Sequence, residues 1–582
     1  MIAFVLCLAA AAGGWTVKAS TSTAVLWTTH AMDRVLRDRV PGVWEPQLHA
    51  ARGEWEALQL VLTGPPAEIK EALITSGSLK GPDGELIAAP VLLREHYVAI
   101  SKSSELAPLP PGQYPDALVP QTFAWQELPK QERVSQPYWI DIYVPPNAKP
   151  GDYTGMLTAT LSSGEKLTQA FKLHVWDFAL PRLPSLKSSM FIVWRRIAKI
   201  HGFPSEGSDA PPALQRILDG YYDMLTEHRL SPHEIWGGYP DGNDPLSERS
   251  YAHIETALRR HLRQRQAGTI GLPLWPSWPV GDPLGKDREE ALGYCARYYK
   301  ICEKLGCADR LYKIFGELDE PNNEEQYKLV REWGRFFKEL HAKHGVKIPL
   351  MVTEQIKPDN EAWGSLVGSV DIWVPHVSEV WQDMESAKPA KEIPRRLAAG
   401  EEVWTYTALV QTPDEWKAAH GRPATLTHGQ PPVWVTDYPP INYRILGWRA
   451  PRHEIRGLTY WDTSFWKGDS FDVWTDNGTY PHDNDEVYNG DGFLIYPATM
   501  AHQGHEGPIA SLRLKWIRES MDDHDYISLM QLAGFKKTAM DTAKTFARGF
   551  GDWDDDVQAL YTARERLGML LEKLSAHRTQ AR

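Results

Sequence analysis

Cysteine is scarce in this chain, with four residues in 582. Cys7 falls in the first apolar run, and Cys295, Cys302 and Cys307 cluster on one predicted helix and its end. Three such thiols make neither a disulfide framework nor a paired zinc motif, so they read as core packing, with a Cys302–Cys307 bridge left open. Basic blocks are missing too. A net charge of −12 with no Lys/Arg cluster argues against nucleic acid or an anionic membrane as the main partner. No apolar run is long enough to span a bilayer, so no stable membrane insertion is expected. The chain has no internal repeat, no G-x-S-x-G elbow and no phosphate-binding glycine loop. The HEIW and HEIR stretches beginning at His233 and His453 lack the second histidine of a zinc helix, and DNDEVYNGDG (483–492) fails the calcium-loop spacing. No cofactor or metal is expected.

What is abundant is tryptophan and tyrosine, 24 and 23 against 15 phenylalanines. Both present a flat apolar face with a polar edge, which suits the C–H faces of sugar rings as well as large cores. The hydrophobic share of 42% and charged share of 24% are those of a soluble globular protein of several domains. At the N-terminus an apolar run from Ile2 to Ala12 leads to Val17-Lys18-Ala19, a small-x-small site before Ser20. Residues 1–19 therefore read as a signal peptide, although no Lys or Arg precedes the run, and export to the periplasm or beyond is expected.

Residues 20–180 read as β structure. In PYWIDIYVPPNAKPGDYTGMLTATL, two period-two runs flank a Pro/Gly turn, a hairpin signal, and ARGEWEALQLVL (51–62) and AFKLHVW (170–176) add strands. An N-terminal β-sandwich is expected. DFALPRLPSLKSS (177–189) is a Pro-punctuated linker. From 188 to 507, strand-like runs alternate with helices: MFIVW, PHEIWGG, TIGLPLW, RLYKIFG, KIPLMVTE, SVDIWVPH, EVWTYTA and IRGLTYWD. Eight such units have the rhythm of a central (β/α)8 TIM-like barrel, and 508–582 reads as a C-terminal helical segment with an apolar stripe, giving a multidomain α/β plus β fold.

Barrel chemistry sits at the C-terminal ends of the strands. The ends here carry Trp236, the pair Asp319-Glu320, Glu354, Trp373, His376, Tyr406, Trp461 and Asp462, a ring of aromatics around acids. Glycoside cleavage needs an acid for the leaving oxygen and support for an oxocarbenium-like centre. Two adjacent acids fit the usual pair of opposed carboxylates poorly, because neighbours on a strand point to opposite faces. Pro321 breaks the strand, however, so both side chains can turn to one pocket. One acid then holds a 2-acetamido group whose carbonyl oxygen attacks the anomeric carbon, and the other handles the glycosidic proton. Close acids also raise one pKa. The competing readings are structural: a salt-bridged loop for the pair, core filling for the tryptophans, a satisfied buried His376.

At FGELDEP the chain resembles glycoside hydrolase family 123, the retaining β-N-acetylgalactosaminidases. ARGEWEALQLVL and PYWIDIYVPPNAKPGDYTG resemble its β-sandwich, VDIWVPH, GLTYWDTSFW and GDGFLIYP its barrel, and SLRLKWIRESMDDHDYISL the helix that follows. The resemblance implies an exported exo-glycosidase acting on a glycan or glycoconjugate with a terminal amino sugar. Asp319 would orient the acetamido group and Glu320 would be the acid/base. Strand-end position adds Trp373, Tyr406 and Trp461 as sugar contacts, Asp462 as a hydroxyl acceptor, His376 as a ring-substituent contact and Trp236 as a further candidate. Two alternatives stay open: a glycosidase of other specificity with Asp462 or Glu354 as partner acid, and a non-catalytic carbohydrate-binding barrel.

Overall fold

The computed structural model describes residues 23–204, 211–235, 237, 244–264, 267–314, 319–353, 359–377, 380, 392–409, 432–466, 471–477, 487–549 and 551–580. The expected signal segment, Trp236, Glu354 and Glu317, which stands two residues before the acid pair and competes with it for the acid role, lie outside them.

The N-terminal third forms two sheets. One orders its strands Val25–His30, Trp55–Gly64, Val134–Tyr143, Val91–Ile100 and Gly112–Pro120, all antiparallel neighbours. The other is built on Gln47–Arg52, Lys166–Ala179 and Gly151–Thr160. Leu58, Leu60, Ile140 and Ile142 of the first sheet share one apolar cluster with Leu157, Phe171 and Leu173 of the second.

Two details differ from the expectation. ARGEWEALQLVL is not one strand: Gly53, at φ 82°, turns the chain between Gln47–Arg52 and Trp55–Gly64, which enter different sheets. A left-handed φ of that size costs little only for glycine. Nor is the Pro/Gly turn at 145–151 a hairpin tip. It carries the chain from one sheet to the other, and the hairpin forms between Gly151–Thr160 and Lys166–Ala179.

The apparent polar face of Val134–Tyr143 is buried as well. Trp139 enters the large central core, and Asp141, 2% exposed, meets Lys515 and Arg518 at 2.8 and 2.7 Å. Both partners lie on the helix Leu512–Leu532. The expected apolar stripe on that helix is absent, because every residue from Leu512 to Ile527 is buried. A helix buried all round must pair its charges. Arg513 reaches Asp116 at 2.9 Å, and Asp523 takes Arg444 at 2.7 Å.

The middle of the chain forms a curled sheet. Its strands run in the order Lys187–Met190, Gly457–Tyr460, Glu402–Thr407, Ile372–Val374, Leu350–Thr353, Leu311–Ile314 and Ile270–Gly271, each parallel to its neighbours. The first and last of these in sequence lie side by side, which a flat βα progression would not give. Among the described residues, seven strands are laddered against the eight expected. At the place of the second, one isolated parallel bridge joins Met190 to Pro232. MFIVW is displaced: the strand ends at Met190, and Trp194–Ile200 is a helix. Tyr312, Met351, Ile372, Val374, Trp404 and Tyr406 pack together on the concave side, while their neighbours Leu311, Val352, Trp373 and Val403 join the outer core.

Candidate active site

The acid pair sits between a strand and a helix cap. Leu311–Ile314 precedes it, and Asn323 caps Glu324–His344 by accepting a hydrogen bond from the Gln326 N–H at 3.0 Å. Pro321, between acid and cap, cannot continue a strand ladder. The chain therefore must turn at the pair, and it does so at Glu320, whose φ is 54°. A left-handed glutamate costs on the order of 1–3 kcal/mol and persists where surrounding contacts hold it.

Those contacts come from the ends of two other strands of the sheet, Leu350–Thr353 and Glu402–Thr407. Thr353, the last residue of Leu350–Thr353, donates its hydroxyl to Asp319 Oδ1. The same Oγ1 accepts the backbone N–H of Glu320 at 3.3 Å. Across the sheet, Tyr406 donates its phenolic hydroxyl to Glu320 Oε1. The left-handed turn thus breaks the alternation of an extended chain, and both carboxyls lie over the C-terminal ends of the sheet. Asp319 keeps an exposed edge, yet its carboxyl is crowded by protein, and that crowding raises its pKa. The Glu320 charge pushes the same way, and the Thr353 hydroxyl and the Glu320 N–H oppose it. The closeness of the acids was expected to raise one pKa and keep the proton donor protonated; the raised group is Asp319, and desolvation leads the Glu320 charge among the causes.

The remaining candidates divide. Tyr406 faces inward and joins the pair. His376 does not face substrate space: it is 3% exposed, its Nε2 lies 2.8 Å from the Ala408 carbonyl, and its ring meets Tyr406 edge-on at 5.0 Å. Burial lowers its pKa to about 4, so it is neutral at physiological pH and backs the Tyr406 ring. Trp373 is overturned as a sugar contact by strand parity. Ile372 and Val374 point inward, so Trp373 points out, and its indole donates to Glu401 at 2.6 Å. Asp462 is spent as well. Arg196 binds Oδ2 at 2.5 Å, and the Ser464 N–H and hydroxyl bind Oδ1 at 2.8 and 3.1 Å. That also removes it as a partner acid. Trp461 stays partly exposed, packed on Phe465 at 5.0 Å.

Two residues escaped the sequence reading. Thr353 stands directly before Glu354 at a strand end, where the neighbouring carboxylate is the more conspicuous group. Asp491 lies inside GDG. Fully buried, it accepts the Leu409 N–H at 3.0 Å, the Tyr460 hydroxyl at 3.0 Å and the Trp461 indole at 3.2 Å. Burial raises its pKa to about 6 against those donors. Gly492 beside it, at φ 80°, leaves room for Trp461, since a Cβ there would sit 2.3 Å from the ring. Two glycines around an acid next to an aromatic strand end were the available clue. Among the described residues, no group of three or more His, Cys, Asp or Glu could hold a metal ion.

Residues 424–530 match the model of the glycoside hydrolase 123 catalytic domain. That stretch carries the catalytic-domain pattern of glycoside hydrolase family 123. The chain is a glycoside hydrolase. The matched stretch holds Trp461, Asp462, Asp491 and most of Leu512–Leu532, but it does not include Asp319 or Glu320. Among solved structures, a family 123 glycoside hydrolase from Clostridium perfringens, studied for glycolipid glycan hydrolysis, is similar at 13% identity, over 95% of this chain and 99% of that one, with a TM-score of 0.64. This likeness concerns the fold. A family 5 xyloglucanase from Bacteroides ovatus in complex with a heptasaccharide aligns at 10% identity over 86% and 100% of the chains, but its TM-score of 0.25 carries no argument. No curated protein matches this chain.

Proposed function

We propose that this glycoside hydrolase removes a terminal β-linked N-acetylhexosamine, N-acetylgalactosamine first, from a glycan or glycoconjugate by a retaining, substrate-assisted mechanism. The carrying observation is Thr353, whose one hydroxyl ties Asp319 and the Glu320 backbone together over the sheet ends. Asp319, as carboxylate, accepts the acetamido N–H and stabilises positive charge as the carbonyl oxygen closes on the anomeric carbon. Glu320, protonated, gives its proton to the leaving oxygen as that C–O bond breaks, and an oxazolinium ion results. Glu320, now a carboxylate, takes a proton from water, the water oxygen attacks the anomeric carbon, and the ring reopens with net retention. Tyr406 orients the Glu320 carboxyl.

In the same reading, the curled sheet closes as a (β/α)8 barrel over 188–507, the two N-terminal sheets form a sandwich over 20–180, and 508–582 is the helical buttress. Residues 1–19 direct export. The glycolipid glycan named for the Clostridium perfringens structure supports a glycoconjugate substrate.

An aryl β-N-acetylgalactosaminide should be hydrolysed, and an N-acetylgalactosamine thiazoline, which mimics the oxazoline, should inhibit competitively. Asp319→Asn and Glu320→Gln should each lower kcat by orders of magnitude without unfolding the protein. Full turnover in either variant, or indifference to the thiazoline, would refute the mechanism.

A further inference from the structure

A cavity of about 600 Å³ opens at the opposite end of the curled sheet from the acid pair. Ile455 and Arg456 line it and lead directly into the strand Gly457–Tyr460, so it lies at the N-terminal ends of the strands. Its size falls in the range of about 300–1,000 Å³ usual for small-molecule sites. Leu397, Pro451 and Met540 supply apolar wall.

Its charge is one-sided. Arg452, Arg456, Lys536 and Lys544 line it against the single carboxylate of Glu454, in a chain whose net charge is −12. His453 and His524 also line it but stay neutral, since burial lowers their pKa values to about 3 and about 4. Arg452 donates to the Ala547 carbonyl just past the helix Lys536–Phe546. On the helix Lys536–Phe546, Asp541 makes its ion pair with Lys537 and acts on Lys544 only through its field. Lys536, Met540 and Lys544 recur every four residues, so one helix face turns both cations to the cavity. Like charges gathered on a concave, partly apolar wall repel unless an anion joins them, and low-dielectric walls sharpen their field.

We propose that this cleft binds a sulfate or phosphate oxyanion carried as an ester on a saccharide. The cations take the oxyanion, and the remaining volume, far beyond one inorganic ion, takes the sugar. Carbohydrate is the companion chemistry because the chain is a glycoside hydrolase. The site is separate from the acid pair and does not depend on the roles proposed for it.

Isothermal titration of the full chain with a sulfated galactosamine disaccharide, its desulfated counterpart, inorganic sulfate and inorganic phosphate tests this. The sulfated disaccharide should bind, and the desulfated one should bind at least tenfold more weakly. Raising salt from low to several hundred millimolar should weaken binding. The Lys536→Gln/Lys544→Gln double variant and Arg456→Gln should each lose tenfold or more in affinity, with hydrolysis of an aryl glycoside unchanged. Equal affinity for the free ions and the sulfated sugar would overturn the saccharide assignment. No binding to the native chain, or equal binding by the variants, would overturn the site.

Discussion

Tyr406 donates its phenolic hydrogen to Glu320 Oε1, linking residues 86 apart in sequence. The bond joins an inward aromatic of the Glu402–Thr407 strand to the left-handed residue beside Pro321. Removing the hydroxyl while keeping the ring isolates its role, because His376 still supports the ring edge. Tyr406→Phe should lower kcat by roughly 10–100-fold, the worth of a hydrogen bond to a charged group. In a Glu320→Gln background the same change should cost little more. Fully additive losses in steady-state kinetics would show that the two side chains act apart.

Thr353 is a positioning residue in this account. Thr353→Val keeps its shape and deletes the hydroxyl that serves Asp319 and the Glu320 N–H. A kcat loss of about tenfold or more is expected, with Thr353→Ser restoring most of it. Loss of a donor to the ionised carboxyl raises its pKa further, so the acidic limb of the pH–rate profile should move to higher pH in the valine variant. An unmoved limb would mean that the threonine does not govern the Asp319 proton.

The raised pKa of Asp319 also bears on stability, with burial as its chief cause. A folded-state pKa above the unfolded value contributes stability that is full below the unfolded pKa and is lost as pH rises through the folded one. At neutral pH the ionised carboxyl therefore costs the folded state. Asp319→Asn should melt at a higher temperature than the native enzyme at pH 7, and this gain should shrink toward pH 4. A pH-independent difference in melting scans would contradict the assignment.

Asp141 carries the reverse sign. Burial alone would raise its pKa, but Arg518 and Lys515 more than offset that and hold it below the usual carboxylate range. Its contribution is present above the unfolded pKa and fades as pH falls through the folded one. Arg518→Met leaves a buried aspartate with one partner fewer and should destabilise by about 3–5 kcal/mol. Thermal midpoints of the variant and native chains at pH 7 measure this, and a shift under a degree would show the pair to be dispensable.

Strand order along the middle of the chain was legible because strand runs and helices alternate with distinct periods. Parity was legible too, but went unused: Ile372 and Val374 bracket Trp373, and two apolar β-branched neighbours on the concave side send the tryptophan outward. The spent state of Asp462 was hidden, since its partner Arg196 lies 266 residues away. The hairpin at 145–151 was misjudged for a similar reason. Local pattern marks a turn, but which strand pairs across it depends on which sheet each run enters.

By itself the sequence determined where the two acids stand, that the chain must break after them, and that the break leads into a capped helix, because Asp319, Glu320, Pro321 and Asn323 are neighbours bound by local backbone rules. Tertiary structure alone decided what those acids touch. Thr353 and Tyr406 come from strands placed by the order of the curled sheet, and the helix Leu512–Leu532 is buried on every face by parts of the chain hundreds of residues distant. Local rules reach a few residues; hydrogen bonds and burial between distant strands depend on packing, which no short stretch of sequence contains.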